Sequence, residues 1–138
     1  MKTVFITGTS SGLGKATVNL FHSKGWNVIA TMRDTGKSKD FEGMQRVTVL
    51  PLDITDTQQI HTTVESAIAL GNIDVVINNA AYGAIGALES LTENDIRKII
   101  DTNLLGAIRV TKAFIPHFRK NQTGLFINIT SMAGFLTF

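Results

Sequence analysis

This sequence predicts an α/β fold, a doubly wound parallel sheet with strands in the order 3-2-1-4-5, on three observations. Five short runs rich in β-branched residues recur along the chain, nearly continuous in hydrophobicity rather than alternating, as in strands buried on both faces. Helical stretches separate most of them, which calls for right-handed crossovers. A glycine-rich turn joins the first strand to the first helix.

The first strand is Lys2–Ile6, followed by the turn Thr7-Gly8-Thr9-Ser10-Ser11-Gly12-Leu13-Gly14 and a helix over about 13–24. Asn27–Thr31 is the second strand, and a short polar connection at 34–44 leads to the third, Arg46–Leu52. Asp56 is placed to cap a helix over 56–70, ahead of the fourth strand, Ile73–Asn78. Thr92-Glu93-Asn94-Asp95 has the capping-box form and opens a long helix over 92–120, which Pro116 should bend or end. Leu125–Ile129 is the fifth strand. With no repeat, linker or low-complexity segment, the 138 residues read as one domain.

Composition narrows the function. The 43% apolar and 17% charged shares place the chain among globular proteins, and no apolar run approaches the roughly 18 residues of a membrane span. Residues 1–6 read as a strand without a signal-peptide layout, so a cytoplasmic location is the expectation. The absence of cysteine removes disulfides and thiolate metal sites, and the three scattered histidines lack ligand spacing, so no metal is expected. A net charge of +2 without a basic stripe or interleaved aromatics gives no support for a nucleic-acid partner.

The glycine turn carries chemistry. Gly8 lets the chain leave the strand sharply, Gly12 lets backbone approach a ligand, and Gly14 lets helix and strand pack closely. The N–H groups of the helix's first turn then face the turn, where an anion is the natural guest; the alternative is a turn that binds nothing. A P-loop would need Gly at Thr9 and Ser or Thr at Ala16. Gly8-Thr9-Ser10-Ser11-Gly12 also fits a nucleophile elbow, but only one strand precedes Ser10, and the candidate bases His22, His61 and His117 each fall in a helix-like stretch.

Asn103 shares the helical spacing of Ile96, Ile100, Ala107, Val110 and Phe114, which puts its amide on the inward stripe. A buried amide needs partners, whether strand four, water or a functional neighbour. Ser131 follows Asn128-Ile129-Thr130 at the carboxyl end of strand five, the edge where open α/β sheets place ligands. Its hydroxyl suits donation to a carbonyl oxygen that gains charge; Thr130 is the neighbouring alternative, and a turn role is the plainer one.

Taken together, the Thr7–Gly14 turn, Leu52-Asp53, Asn78-Asn79-Ala80, Asn103 and Ser131 resemble, in order and separation, the short-chain dehydrogenases/reductases of the Rossmann type. The resemblance runs the length of the chain. It implies an oxidoreductase that moves a hydride between NADP(H) and a small-molecule carbonyl or alcohol, and that assembles as a homo-oligomer. It places Gly8, Ser10, Ser11, Gly12, Leu13 and Gly14 at the cofactor phosphates. Asp53 and Ile54 would lie at the adenine, though Asp53 could be a plain strand-end acid and Asp56 is an available competitor, and Asn79, Ala80 and Ala81 would lie along the channel. Ala81 stands where such proteins usually have Gly, which puts the local backbone geometry in question.

Cofactor choice turns on the end of strand two. Met32 stands where an NAD enzyme would place an acid for the ribose 2′-OH, while Arg33 can pair with a 2′-phosphate through its planar fork. NADP is therefore preferred to NAD. Arg33 could instead be a solvated cation, and an alignment shifted by two residues would make Asp34 the ribose acceptor.

The resemblance gives Asn103 a water that relays protons to a catalytic Lys, and Ser131 the substrate oxygen. It also implies a catalytic Tyr, with Lys four residues later, about a dozen residues beyond Ser131. The one Tyr here is Tyr82. The expectation is thus the amino-terminal portion of an enzyme, lacking strands six and seven and inactive by itself. The alternative is a dinucleotide-binding module without catalysis.

Overall fold

The computed structural model describes residues 1–84 and 86–132. Its strands β1 (Thr3–Thr7), β2 (Asn27–Met32), β3 (Val47–Pro51), β4 (Val75–Asn78) and β5 (Leu125–Asn128) form one parallel sheet in the order β3-β2-β1-β4-β5. The class and strand order are those the apolar runs dictate, and each strand begins and ends within about two residues of its run.

All five residues of β1 are buried because both faces are covered. Val4 and Ile6 pack with Val18 of helix α1 (Gly12–Ser23), and with Val28, Ala30 and Met32 of β2. On the other face, Phe5 meets Ile60 and Val64 of α2 (Thr57–Ala69) and the ring of Phe114 at 4.9 Å. Burying each such side chain contributes about 1.5–3 kcal/mol. The polar 34–44 connection, which forms the 3₁₀ turns Thr35–Lys37 and Lys39–Phe41, also buries one anchor, Phe41, in the cluster of Val4, Ile6 and Val18.

The long helix differs from expectation in two ways. It begins at α3 (Glu93–Ile100), where Thr92 and Asp95 form the capping box; the Thr92 hydroxyl and N–H hold the Asp95 carboxyl below the usual carboxylate range. It then widens into a π turn, Asp101–Gly106, before resuming as α4 (Ala107–Asn121). The extra residue shifts the inward stripe by one position. Val110 and Gly106 are buried and Asp101 and Thr102 partly so, while Ile100 and Asn103 are exposed, which corrects the inward placement of Asn103. An ion pair of 2.8 Å between Asp101 and Arg109 spans the turn.

Pro116 does not end the helix. The helix runs on to Asn121 because Val110, Phe114 and Phe118 anchor α4 on the sheet, and it stops where Gln122 adopts φ +52°. Among the described residues no helix is long and apolar enough to cross a membrane.

Candidate functional site

The carboxyl ends of β1 and β4 are bonded to each other through the glycine turn. Gly8 has φ +71°, and a Cβ there would come within 2.7 Å of the Ala80 Cα, so glycine is required on both counts. A Cβ on Gly14 would overlap the Gly8 carbonyl oxygen and reach within 2.6 Å of Asn79 Nδ2. That amide nitrogen donates to the carbonyls of Thr7 at 2.9 Å and Gly8 at 3.0 Å. Asn79 therefore spends its amide N–H groups on holding the turn, and it meets the channel through its remaining atoms and backbone.

Two buried threonines brace the turn, and the motif reading did not single them out. Thr7 Oγ1 accepts the N–H groups of Asn79 and Ala80, each at 3.0 Å. Thr9, fully buried, donates both its N–H and its hydroxyl to the Thr31 carbonyl, at 3.0 and 3.1 Å. A β-branched residue beside a strand is unremarkable in sequence; only the burial of its hydroxyl reveals the role.

Helix α1 starts at Ser11 with no side-chain cap and no acid in its first turn. Its leading N–H groups are thus available to an anion. They border a cavity of about 650 Å³ lined by Gly8, Ser10, Ser11, Leu13, Gly14, Arg33, Asp53, Ile54, Asn79, Ala80 and Ala81. Of the cofactor residues expected from sequence, only Gly12 stays off this wall; it supplies the positive φ, +55°, that shapes the turn.

The structure also separates the acids near the ribose end. Asp34 does not line the cavity, because its carboxylate accepts the Gly36 N–H at 3.0 Å and caps a 3₁₀ turn. Arg33 and Met32 both line it, Arg33 exposed and Met32 nearly buried, so Met32 brings an apolar surface with no acceptor for a hydroxyl. Asp53 Oδ1 takes the Thr55 N–H and hydroxyl at 2.9 and 2.7 Å, and the Asp53 N–H donates to Gln59 Oε1. Asp56 caps α2 by accepting the Gln59 N–H. Ile54 is 5% exposed with its side chain in the core.

A second cavity, of about 790 Å³, opens beside the first and shares Asn79, Ala80 and Ala81 with it. Ser131, Thr130 and Asn103 all line it. Strand β5 is tied there by the Ile129 N–H to the Asn78 carbonyl at 3.0 Å, and by Asn78 Nδ2 to Asn128 Oδ1 at 2.8 Å. Asn103 grips one residue at both backbone groups: its Oδ1 accepts the Tyr82 N–H and its Nδ2 donates to the Tyr82 carbonyl, both at 2.8 Å. Its partner is the loop after β4 rather than the sheet. Ala81 has no positive φ, so its methyl group does not disturb the backbone. None of the three histidines lines either cavity, and His117 accepts the N–H of Ile73 instead, so the serine-hydrolase reading has no base near Ser10.

A five-stranded parallel sheet in this order, with a glycine turn leading into α1 at the carboxyl edge, is a Rossmann fold. The chain belongs to the short chain dehydrogenase family, whose profile matches residues 2–138. It is 38% identical over 132 residues to a 3-ketodihydrosphingosine reductase of Bacteroides thetaiotaomicron, covering 95% of this chain and 47% of that protein. Human retinol dehydrogenase 8 is 35% identical over 142 residues, covering 96% and 45%. A solved short-chain dehydrogenase from Streptomyces avermitilis superposes with a TM-score of 0.93 at 34% identity, covering 99% of this chain and 52% of that one. ElxO with NADP bound gives 0.92 at 30%, covering 99% and 58%. The chain spans about half the length of the curated relatives it matches.

Proposed function

We propose that this chain carries the cofactor site of an oxidoreductase that interconverts a carbonyl and an alcohol with NADP(H). The observation that carries the cofactor choice is the ribose end of the first cavity. Arg33 and the apolar Met32 stand on that wall, and the Asp34 carboxylate is turned into its own cap. A cation whose neighbouring acid is turned away suits a 2′-phosphate better than a 2′-OH.

The rest of the site fits the same group. The uncapped first turn of α1 and the glycine backbone suit a diphosphate, and Ser131 lines the neighbouring cavity along with the shared wall. The solved relative ElxO has NADP bound, as does a metagenomic short-chain oxidoreductase at 27% identity and a TM-score of 0.90. When bound, NADP(H) supplies or takes up the hydride. The chain's own residues orient and polarise. Arg33 pairs with the 2′-phosphate, the α1 N–H groups hold the diphosphate, and Ser131 donates its hydroxyl to the substrate oxygen. Asn103 fixes the loop between the cavities.

Titration of NADPH and NADH against the wild-type protein and Arg33→Ala tests this reading. The substitution should weaken NADPH by about 1.5–3 kcal/mol, the range for hydrogen bonds to charged groups, and leave NADH nearly unchanged. Equal losses for both cofactors would remove the case for NADP.

A further inference from the structure

Tyr82 has no part in the chemistry described so far, yet the structure holds it with care. Its side chain is 40% exposed and lines the first cavity beside Lys98, Asp101 and Thr102. Its backbone is gripped on both sides by one amide, with Asn103 accepting its N–H and donating to its carbonyl, each at 2.8 Å. It also directly follows Asn79, Ala80 and Ala81, the wall common to both cavities.

A loop side chain normally loses backbone and rotamer freedom when it closes on a ligand. Here the backbone share of that loss is met beforehand by Asn103. What remains is a flat ring with two side-chain torsions, the kind of group that gives large contact area at low entropic cost. We propose that the Tyr82 ring is a cofactor-contact surface in the first cavity, laid against a part of the dinucleotide that NADPH and NADH share, and that Asn103 is its positioning residue. This rests on the reading that the first cavity takes a dinucleotide.

The test is equilibrium binding of NADPH and NADH, measured by calorimetry on the whole protein, for wild type, Tyr82→Ala, Tyr82→Phe, Asn103→Ala and the Tyr82→Ala/Asn103→Ala double variant. Tyr82→Ala should raise Kd for both cofactors about tenfold, as loss of an aromatic stacking platform does. Tyr82→Phe should stay within about threefold of wild type, since the ring face is kept. Asn103→Ala should weaken both cofactors, and on the Tyr82→Ala background it should add little, since the residue it positions is gone.

Unchanged Kd values in Tyr82→Ala, a loss confined to NADPH, or a Phe variant as weak as the Ala variant would each overturn the proposal. So would full additivity of the two substitutions. Failure of the wild-type protein to bind either dinucleotide would overturn the functional reading, and this inference with it.

Discussion

Three glycine-to-alanine substitutions separate the packing role of the glycine turn from its conformational role. At Gly14 the added Cβ meets backbone: it overlaps the Gly8 carbonyl oxygen and lies 2.6 Å from Asn79 Nδ2. Relief requires the turn to move away from β4, and the two bonds from the Asn79 amide to Thr7 and Gly8 are broken by that movement. Overpacking costs about 1–3 kcal/mol and each lost hydrogen bond about 0.5–1.5, so Gly14→Ala should cost about 2–6 kcal/mol. Gly12→Ala finds nothing within 4 Å and suffers only from φ +55°; that strain is worth about 1–2 kcal/mol. Gly83→Ala has open space and no positive φ, and should stay within about 0.5 kcal/mol. Urea denaturation of the whole protein, with unchanged slopes, reads the order Gly14, Gly12, Gly83 from most to least costly. A Gly14→Ala protein as stable as Gly83→Ala would refute the claim that the turn is packed against β4 to contact.

Two other perturbations test neighbouring parts of the structure. In a longer, active form of the enzyme that contains this chain, Ser131→Ala should lower turnover of a carbonyl substrate by about 10² in kcat, as loss of one oxyanion donor does, with the NADPH Kd unchanged; steady-state kinetics beside a cofactor titration would show it. Gln122→Gly should stabilise by about 0.5–1 kcal/mol in a denaturant melt, because Gln122 closes α4 at φ +52° and glycine occupies that region without a Cβ penalty.

The sheet was legible because a parallel strand buried on both faces has little choice of residue. Val4, Phe5 and Ile6 are apolar on both sides, and the chain announces this as an unbroken run. The glycine turn was legible because φ +71° at Gly8 and the close approach of Gly14 to Gly8 exclude side chains. Asn103 was misplaced for an equally physical reason. A period of 3.6 residues was carried through Asp101–Gly106, where the helix widens, and one extra residue rotates everything before it by about 100°. The positions that face inward there are Asp101 and Thr102, which also line the first cavity. Gly106 was the available signal. A Cβ there would sit 2.7 Å from Ile54 Cδ1, so the widened turn presses against the loop after β3 at a point where only glycine fits without displacing Ile54.

The π turn and the glycine turn act on one short segment. Asn79 is fixed by the carbonyls of Thr7 and Gly8, Asn79 and Ala80 by the Thr7 hydroxyl, and Tyr82 by Asn103. Between those anchors lie Ala80 and Ala81, with Ala80 at the limit of approach set by Gly8. The segment 79–82 is thus held at its first residue by the glycine turn and at its last by the long helix. Since Asn79, Ala80 and Ala81 form the wall common to both cavities, this pair of anchorages would, on the proposed function, set how far a cofactor seated on the glycine turn lies from Ser131. Reaction geometry is sensitive to displacements of about 1 Å, so residues that touch neither ligand, Thr7 foremost, bear on it through the wall they hold.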